Sequence, residues 1–129
     1  MSTLRTNSLE GVDAKNSITI VAGAGNVTTT NVQEGLAKMW HRSSDAASPT
    51  DSFNVSGGTD NGTGDFTYAF TNNMANANFG QAHIINDTNA GSINSSAQAT
   101  SSTRIEIING DGSAARDRIN AGQLHGDLA

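Results

Sequence analysis

Aromatic residues alternate with small and polar ones at positions 66–70, and this segment constrains the fold more than any other. It holds three of the chain's aromatic side chains, which in all are four Phe, one Tyr and one Trp. Because successive side chains of a strand point to opposite faces, Phe66, Tyr68 and Phe70 predict a strand with one buried face. A Gly-rich run with an Asn-Gly pair, the strongest hairpin dipeptide, comes just before it and predicts a tight turn.

Similar signals indicate that strands and turns continue along the chain. Residues 57–64 and 110–113 predict turns, and residues 86–97, rich in Asn, Ser and Gly, predict a loop. Together with the strand patterns, these signals favour an all-β fold, an antiparallel β-sandwich that is jelly-roll-like. The further strand-like segments are 17–21, 51–56, 79–85, 103–109 and 116–124.

One segment favours a helix. Val32, Leu36 and Met39 recur at the i, i+4, i+7 spacing of a helical face, and a Thr-x-x-Gln pair at the start fits a capping box. We therefore expect one short helix within residues 30–40.

The apolar inventory is small for a chain that folds alone. Asn, Ser, Thr and Gly supply 57 of the 129 residues, and hydrophobic residues make up only 35%. Residues 1–30 carry widely spaced apolar side chains in a polar run, too few to bury one another. We expect residues 1–30 to form an extended N-terminal arm that docks on other chains, and residues 31–129 to form the β-sandwich domain. The docking side chains are predicted to be Leu4, Leu9, Val12, Ile18 and Ile20.

Charge and composition disfavour several classes of function. Seven Lys and Arg against twelve Asp and Glu give a net charge of −5, which argues against nucleic acid because phosphate binding needs clustered cations. No apolar run approaches the roughly 20 residues of a membrane span, so we expect no membrane insertion. The chain has no Cys, nucleophile elbow, phosphate-binding loop or dinucleotide fingerprint, so we expect neither an enzyme nor a cofactor.

Metal sites have little support in the sequence. The turn at 60–65 brings Asp60 and Asp65 near other oxygen donors that Ca²⁺ accepts, but an Asx-rich hairpin explains the same residues. His41, His83 and His125 lack paired metal-ligand spacing. We therefore expect no bound metal, with calcium at the 60–65 turn as an open alternative.

Several segments resemble a module of tailed-bacteriophage tail-fibre and fibre-like virion proteins. In that family a Lys-x-Trp segment leads into a Ser-Phe-Asn-Val strand, and an Asp-Asn-Gly-Thr-Gly-Asp turn leads into an aromatic strand. The first residues are also similar to the start of short cyanophage and marine phage fibre proteins. The resemblance extends over roughly the first 80 residues. Its segments are 1–7 (MSTLRTN), 35–40 (GLAKMW), 51–56 (DSFNVS), 59–67 (TDNGTGDFT) and 70–74 (FTNNM).

The resemblance implies a homotrimeric, β-rich appendage of a virion, made in the host cytoplasm and without a catalytic residue. The arm would then bind other virion proteins, and the sandwich would form a knob that contributes to host attachment, with a surface glycan as the candidate receptor. Two alternatives stay open, a capsid decoration protein that stabilises the head and a lectin-like module that binds glycans through Ca²⁺. The residues predicted to face the receptor are Trp40, His41, Asn89 and Asn94.

Overall fold

The chain divides into two compact units, Met1–Leu36 and Ala37–Ala129. The structure, a computed structural model, describes residues 5–10, 18–21, 29–86 and 91–129. The division between the units falls after residue 36 and not after residue 30, so the described helix belongs to the N-terminal unit. Within the described ranges there is no helix with the length and apolar character that crossing a membrane requires.

The N-terminal unit holds a small antiparallel strand pair followed by one helical turn. β1 (Thr19–Val21) pairs with β2 (Thr29–Asn31), and α1 (Val32–Gly35) follows directly. The Val32 N–H donates a hydrogen bond of 3.0 Å to the Ile18 carbonyl, which ties the start of α1 to the chain entering β1. β1 matches the predicted strand at 17–21, whereas β2 has no counterpart among the predicted strands.

The short helix predicted within residues 30–40 is present, but it is a single turn and does not extend to Met39. α1 ends at Gly35, Leu36 is 59% exposed, and Met39 begins strand β3 (Met39–Ser43) with its side chain fully buried. Glycine disfavours continuation of a helix, and so short a segment does not recover the free-energy cost of helix nucleation. The apolar spacing that suggested one helical face therefore comes from residues in different elements.

The predicted docking residues of the arm are only partly described. Leu9 is 61% exposed, so little of its apolar surface is covered within the chain. Ile18 is half-buried, and Ile20 lies in β1. Leu4 and Val12 lie outside the described residues. The docking role of the arm stays a prediction.

The C-terminal unit consists of two antiparallel four-stranded sheets, as a β-sandwich requires. After β3, its strands are β4 (Pro49–Phe53), β5 (Val55–Gly62), β6 (Asp65–Phe70), β7 (Gly80–Ile85), β8 (Gly91–Ala99), β9 (Ser102–Asn109) and β10 (Asn120–His125). The first sheet has the strand order β4-β3-β10-β7, and the second has the order β5-β6-β9-β8. The all-β prediction is therefore confirmed.

Three of the strands predicted in the C-terminal unit are confirmed, and a fourth, at 51–56, is divided between two strands. β6, β7 and β9 correspond to the predicted strands at 66–70, 79–85 and 103–109. The predicted strand at 51–56 is in fact the end of β4 and the start of β5, separated by Asn54 with a φ of 57°. Asn is one of the few residues that tolerates this left-handed conformation. As a result Phe53 is 51% exposed, whereas Val55 is half-buried against the core.

The predicted loop at 86–97 is wrong for its second half, because β8 begins at Gly91. β8 pairs through its backbone with β9, and its Asn and Ser side chains are mostly exposed. Pairing of an edge strand needs only backbone groups, so it does not require the apolar alternation that signals a strand. The last strand also begins later than predicted, at Asn120, and leaves Ile119 38% exposed before it.

The core lies between the two sheets and is formed by the inward-facing side chains of both. In β6 and β9, every second side chain is buried, and Phe70 packs edge-on against Phe79 with ring centroids 5.9 Å apart. Full burial of each large apolar side chain contributes about 1.5–3 kcal/mol. The buried apolar residues are Met39, Ala47, Phe66, Tyr68, Phe70, Met74, Phe79, Ile105, Ile107 and Leu124.

Candidate functional site

The outer face of the first sheet carries exposed apolar side chains. Trp40 in β3 lies beside Phe53 of β4 in the strand register, and Ala121 of β10 lies beside Ile84 of β7. Trp40 is 39% exposed, Phe53 51% and Ile84 71%. With Ala82, which is also exposed, these residues form what we call the Trp40 face: Trp40, Phe53, Ala82, Ile84 and Ala121.

A shallow groove runs along this face. One depression of about 260 Å³ is lined by Trp40, Ala82 and Gln123, among others. A second, of about 300 Å³, includes Arg42 and Asn86, and the two depressions share Ile84 and Ala121. The groove thus combines an aromatic ring and aliphatic side chains with a few amide and guanidinium groups, the composition typical of small-ligand sites.

The outer face of the second sheet is polar. The Arg104 guanidinium pairs with the Asp65 carboxylate through both of its oxygens. Asn61 donates to the side chains of Asp65 and Thr67, over 3.2 and 2.8 Å. Hydrogen bonding from Arg104 holds the pKa of Asp65 below its ordinary value. The two outer faces therefore differ in character, and of these two faces only the Trp40 face carries exposed large apolar side chains among the described residues.

Of the four residues predicted to face a receptor, the three that the structure describes do not form one surface. Trp40 is exposed on the first sheet, and Asn94 is exposed on β8 of the second sheet. The prediction for His41 is wrong, because its side chain is only 2% exposed. The side chains of β3 alternate between the two faces, and those of Met39, His41 and Ser43 lie on the inner face. Asn89 lies outside the described residues.

A polar cluster occupies the interior behind the Trp40 face. His41 of β3 and His83 of β7 both lie opposite Gly122 of the intervening strand β10, so the three form one row across the inner face of the first sheet. The His41 and His83 ring centroids are 5.7 Å apart. From the second sheet, Tyr68 stacks on His41 with centroids 3.9 Å apart. Because Gly122 has no side chain, the two imidazoles reach the space above it.

Hydrogen bonds join this cluster to both sheets. The Tyr68 hydroxyl donates to Asn120 Oδ1 over 2.9 Å, across the interface between the sheets. The Thr103 hydroxyl of β9 donates to Gln81 Oε1 of β7 over 2.7 Å. These two bonds link polar side chains of the two sheets across the interior, which offsets the desolvation cost of burying those groups.

Burial shifts the titration of the cluster. It lowers the pKa of His41 and of His83 to about 4, and in His41 the charge of a protonated His83 lowers it further. Burial also raises the pKa of Tyr68. At neutral pH both imidazoles are therefore uncharged.

The candidate calcium turn has its carboxylates already engaged. Asp60 Oδ1 accepts the Gly62 N–H over 2.9 Å, and Asp65 is paired with Arg104. Within the ranges that the structure describes, no group of three or more His, Asp or Glu side chains is placed to hold a metal ion.

Sequence reasoning missed the pairing of His41 with His83 and the role of Gly122. The two histidines are on strands that do not pair directly, and only the register of β10 between them brings them together. A usable signal is the alternation in 39–43 and 80–85, where histidine shares its face with buried side chains in the first segment and with half-buried ones in the second. Reading those segments as strands places Trp40 and His41 on opposite faces.

Comparisons with protein-family models, with curated proteins and with solved structures give no match to this chain.

Proposed function

We propose that this chain is a structural, non-catalytic component of a tailed-phage virion, a short trimeric tail fibre or fibre segment that contributes to host-surface attachment. The observation that carries the proposal is the Trp40 face, an exposed groove with an aromatic ring at one end and polar groups along its length. The resemblance of segments 1–7, 35–40, 51–56, 59–67 and 70–74 to fibre modules supplies the biological setting.

The groove has the chemistry that a surface sugar needs. Trp40 is 39% exposed and offers the flat apolar surface on which the C–H face of a sugar ring packs. Gln123 and Arg42 project from the same outer face and supply hydrogen-bond donors for sugar hydroxyls. An exposed apolar patch on so polar a chain indicates contact with another molecule.

The remaining parts of the chain suit a virion appendage. The N-terminal unit is separate from the sandwich and exposes Leu9, which supports attachment to other virion proteins. The small apolar inventory of the chain supports a homotrimer, because a core of this size leaves a single copy marginally stable.

Adsorption of the phage tests the proposal. Phage that carry Trp40→Ala should adsorb about tenfold or more slowly, since aromatic anchors at the centre of a contact typically contribute about 2 kcal/mol or more. Asn94 was also predicted to face the receptor but lies on the second sheet, so Asn94→Ala should leave adsorption unchanged if the groove is the contact. Loss of adsorption with Asn94→Ala but not with Trp40→Ala would reject the groove as the receptor contact.

Copy number distinguishes the tail from the head. Mass spectrometry of purified virions should find a few trimers per particle, measured against the major capsid protein. Hundreds of copies, with normal adsorption and a less stable head on deletion of the chain, would instead indicate a capsid decoration protein.

A further inference from the structure

His83 presents an unprotonated nitrogen to the space above Gly122. Its Nε2 lies 3.3 Å from Gln81 Oε1, which also accepts the Thr103 hydroxyl. An amide oxygen only accepts hydrogen bonds, so Nε2 carries the proton. In the neutral ring His83 Nδ1 therefore has a free lone pair, and this buried nitrogen has no hydrogen-bond partner.

The same reasoning applies to His41. Its Nδ1 lies 2.9 Å from Ser43 Oγ, and Ser43 also hydrogen-bonds the Tyr68 hydroxyl. The single proton of that hydroxyl goes to Asn120 Oδ1, so Ser43 donates to the Tyr68 oxygen and accepts from His41 Nδ1–H. His41 Nε2 is then the atom with the free lone pair, and it too is buried without a partner.

The two lone pairs converge. A Cβ on Gly122 would lie 2.9 Å from His41 Nε2 and would overlap His83 Nδ1, so the two nitrogens are within about 5 Å of each other. Among the described residues, these two atoms are the buried side-chain nitrogens or oxygens left unpartnered. Two acceptors that face one another without a donor are costly unless something binds both.

We propose that His41 Nε2 and His83 Nδ1 bind one transition-metal ion in the space over Gly122. Metal–imidazole bonds of about 2.0–2.1 Å bring two nitrogens to about 4 Å or less, a separation that the upper limit set by the Gly122 position allows. The second nitrogen of each ring is held by Ser43 or Gln81, as is usual for histidines that bind metals. Monovalent copper fits best, because two neutral donors in a buried place compensate one positive charge more readily than two.

Metal titration of the full chain, purified without a polyhistidine tag, tests the site. Equilibrium dialysis against Cu⁺ under reducing conditions, and separately against Zn²⁺ and Ni²⁺, is followed by metal analysis and thermal unfolding. The expected result is one Cu⁺ per chain with a raised Tm. His83→Gln should abolish the bound equivalent, whereas His125→Gln should keep it, since His125 lies outside the His41–Gly122–His83 row.

A second variant and a direct probe guard against a variant that fails to fold. Ser43→Ala keeps both ligands but removes the partner of His41 Nδ1, and it should weaken metal binding about 10–100-fold. Nitrogen NMR of the imidazoles should show Cu⁺ shifting His41 Nε2 and His83 Nδ1 while the other two ring nitrogens keep their protons. If the native chain takes up no metal and both nitrogen resonances are typical of hydrogen bonding to water, the space holds a bridging water and not an ion. That result would overturn the proposal. Uptake that persists in His83→Gln would also overturn it, since the metal would then bind elsewhere.

Discussion

Acid should weaken the sandwich because unfolding releases two buried imidazoles that then take up protons. Above pH 6.5, the ordinary pKa of histidine, His41 and His83 are neutral in both states and the full stability is present. Below it the unfolded chain binds protons that the folded chain does not, until the folded-state pKa of about 4 is reached. The free energy of unfolding therefore falls as the pH falls from 6.5 to 4.

The lowered pKa values of the two histidines make this loss of stability large. Each unit of pKa shift corresponds to about 1.4 kcal/mol, so lowering the pKa from 6.5 to about 4 contributes about 3 kcal/mol for each ring. For the two rings together the loss is about 5 kcal/mol by pH 4.5, against a total stability of roughly 5–15 kcal/mol for a typical domain. The sandwich should thus lose a large part of its stability well before most carboxylates are protonated.

Urea unfolding followed by circular dichroism measures this loss. The metal-free protein, kept in EDTA, is unfolded at intervals between pH 7.5 and pH 4.5. In His83→Gln the loss should be about half that of the native chain, because one buried imidazole remains. His125→Gln is the control, and its pH dependence should match that of the native chain. A free energy of unfolding that stays constant over this range, or one that falls equally steeply in the His41→Gln/His83→Gln double variant, would refute the reasoning.

Four further predictions concern packing, charge and the turn at 60–65. By urea unfolding at pH 7.5, Phe66→Ala should cost about 3–5 kcal/mol because its ring is fully buried. Arg104→Ala should change the stability far less, because its ion pair with Asp65 is largely in solvent. Gly64→Ala should cost about 1–2 kcal/mol or more in the same assay, since its φ is +70° and the new Cβ would lie 2.5 Å from a carbonyl oxygen. Adding Ca²⁺ to the metal-free protein should leave the Tm in calorimetry unchanged, because Asp60 and Asp65 already have partners; a Tm that rises with Ca²⁺ would restore the lectin-like alternative.

The strands that sequence reasoning predicted are those whose own side chains enter the core. β6 and β9 bury every second residue, and that alternation is visible in the sequence. β8 was out of reach of the same argument, because its mostly exposed Asn and Ser side chains carry no such signal and its pairing is set by β9. Helical spacing around Met39 misled because i, i+4, i+7 patterns also arise by chance across a turn and a strand.

The surface site and the interior cluster differ in how far sequence predicts them. Trp40 and His41 were both predicted to face a receptor, but strand alternation requires that they point to opposite faces. The meeting of His41 with His83 depends on β10 lying between β3 and β7, a connection over a long stretch of chain. No local pattern encodes that strand order, so the pairing needs the fold.

The exposed Trp40 face and the buried histidines are two consequences of one register. β7 turns Gln81 and His83 inward and Ala82 and Ile84 outward, the reverse of what hydrophobicity alone favours. A shift of one residue in the register would exchange the inward and outward side chains of β7. β7 is an edge strand, so the only backbone pairing that opposes such a shift is with β10. The bond from the Thr103 hydroxyl to Gln81 Oε1 favours the observed register, and an occupant bound by His83 would favour it further. Whatever stabilises the imidazole pair inside therefore also keeps Ile84 at the surface, where the proposed receptor groove needs it.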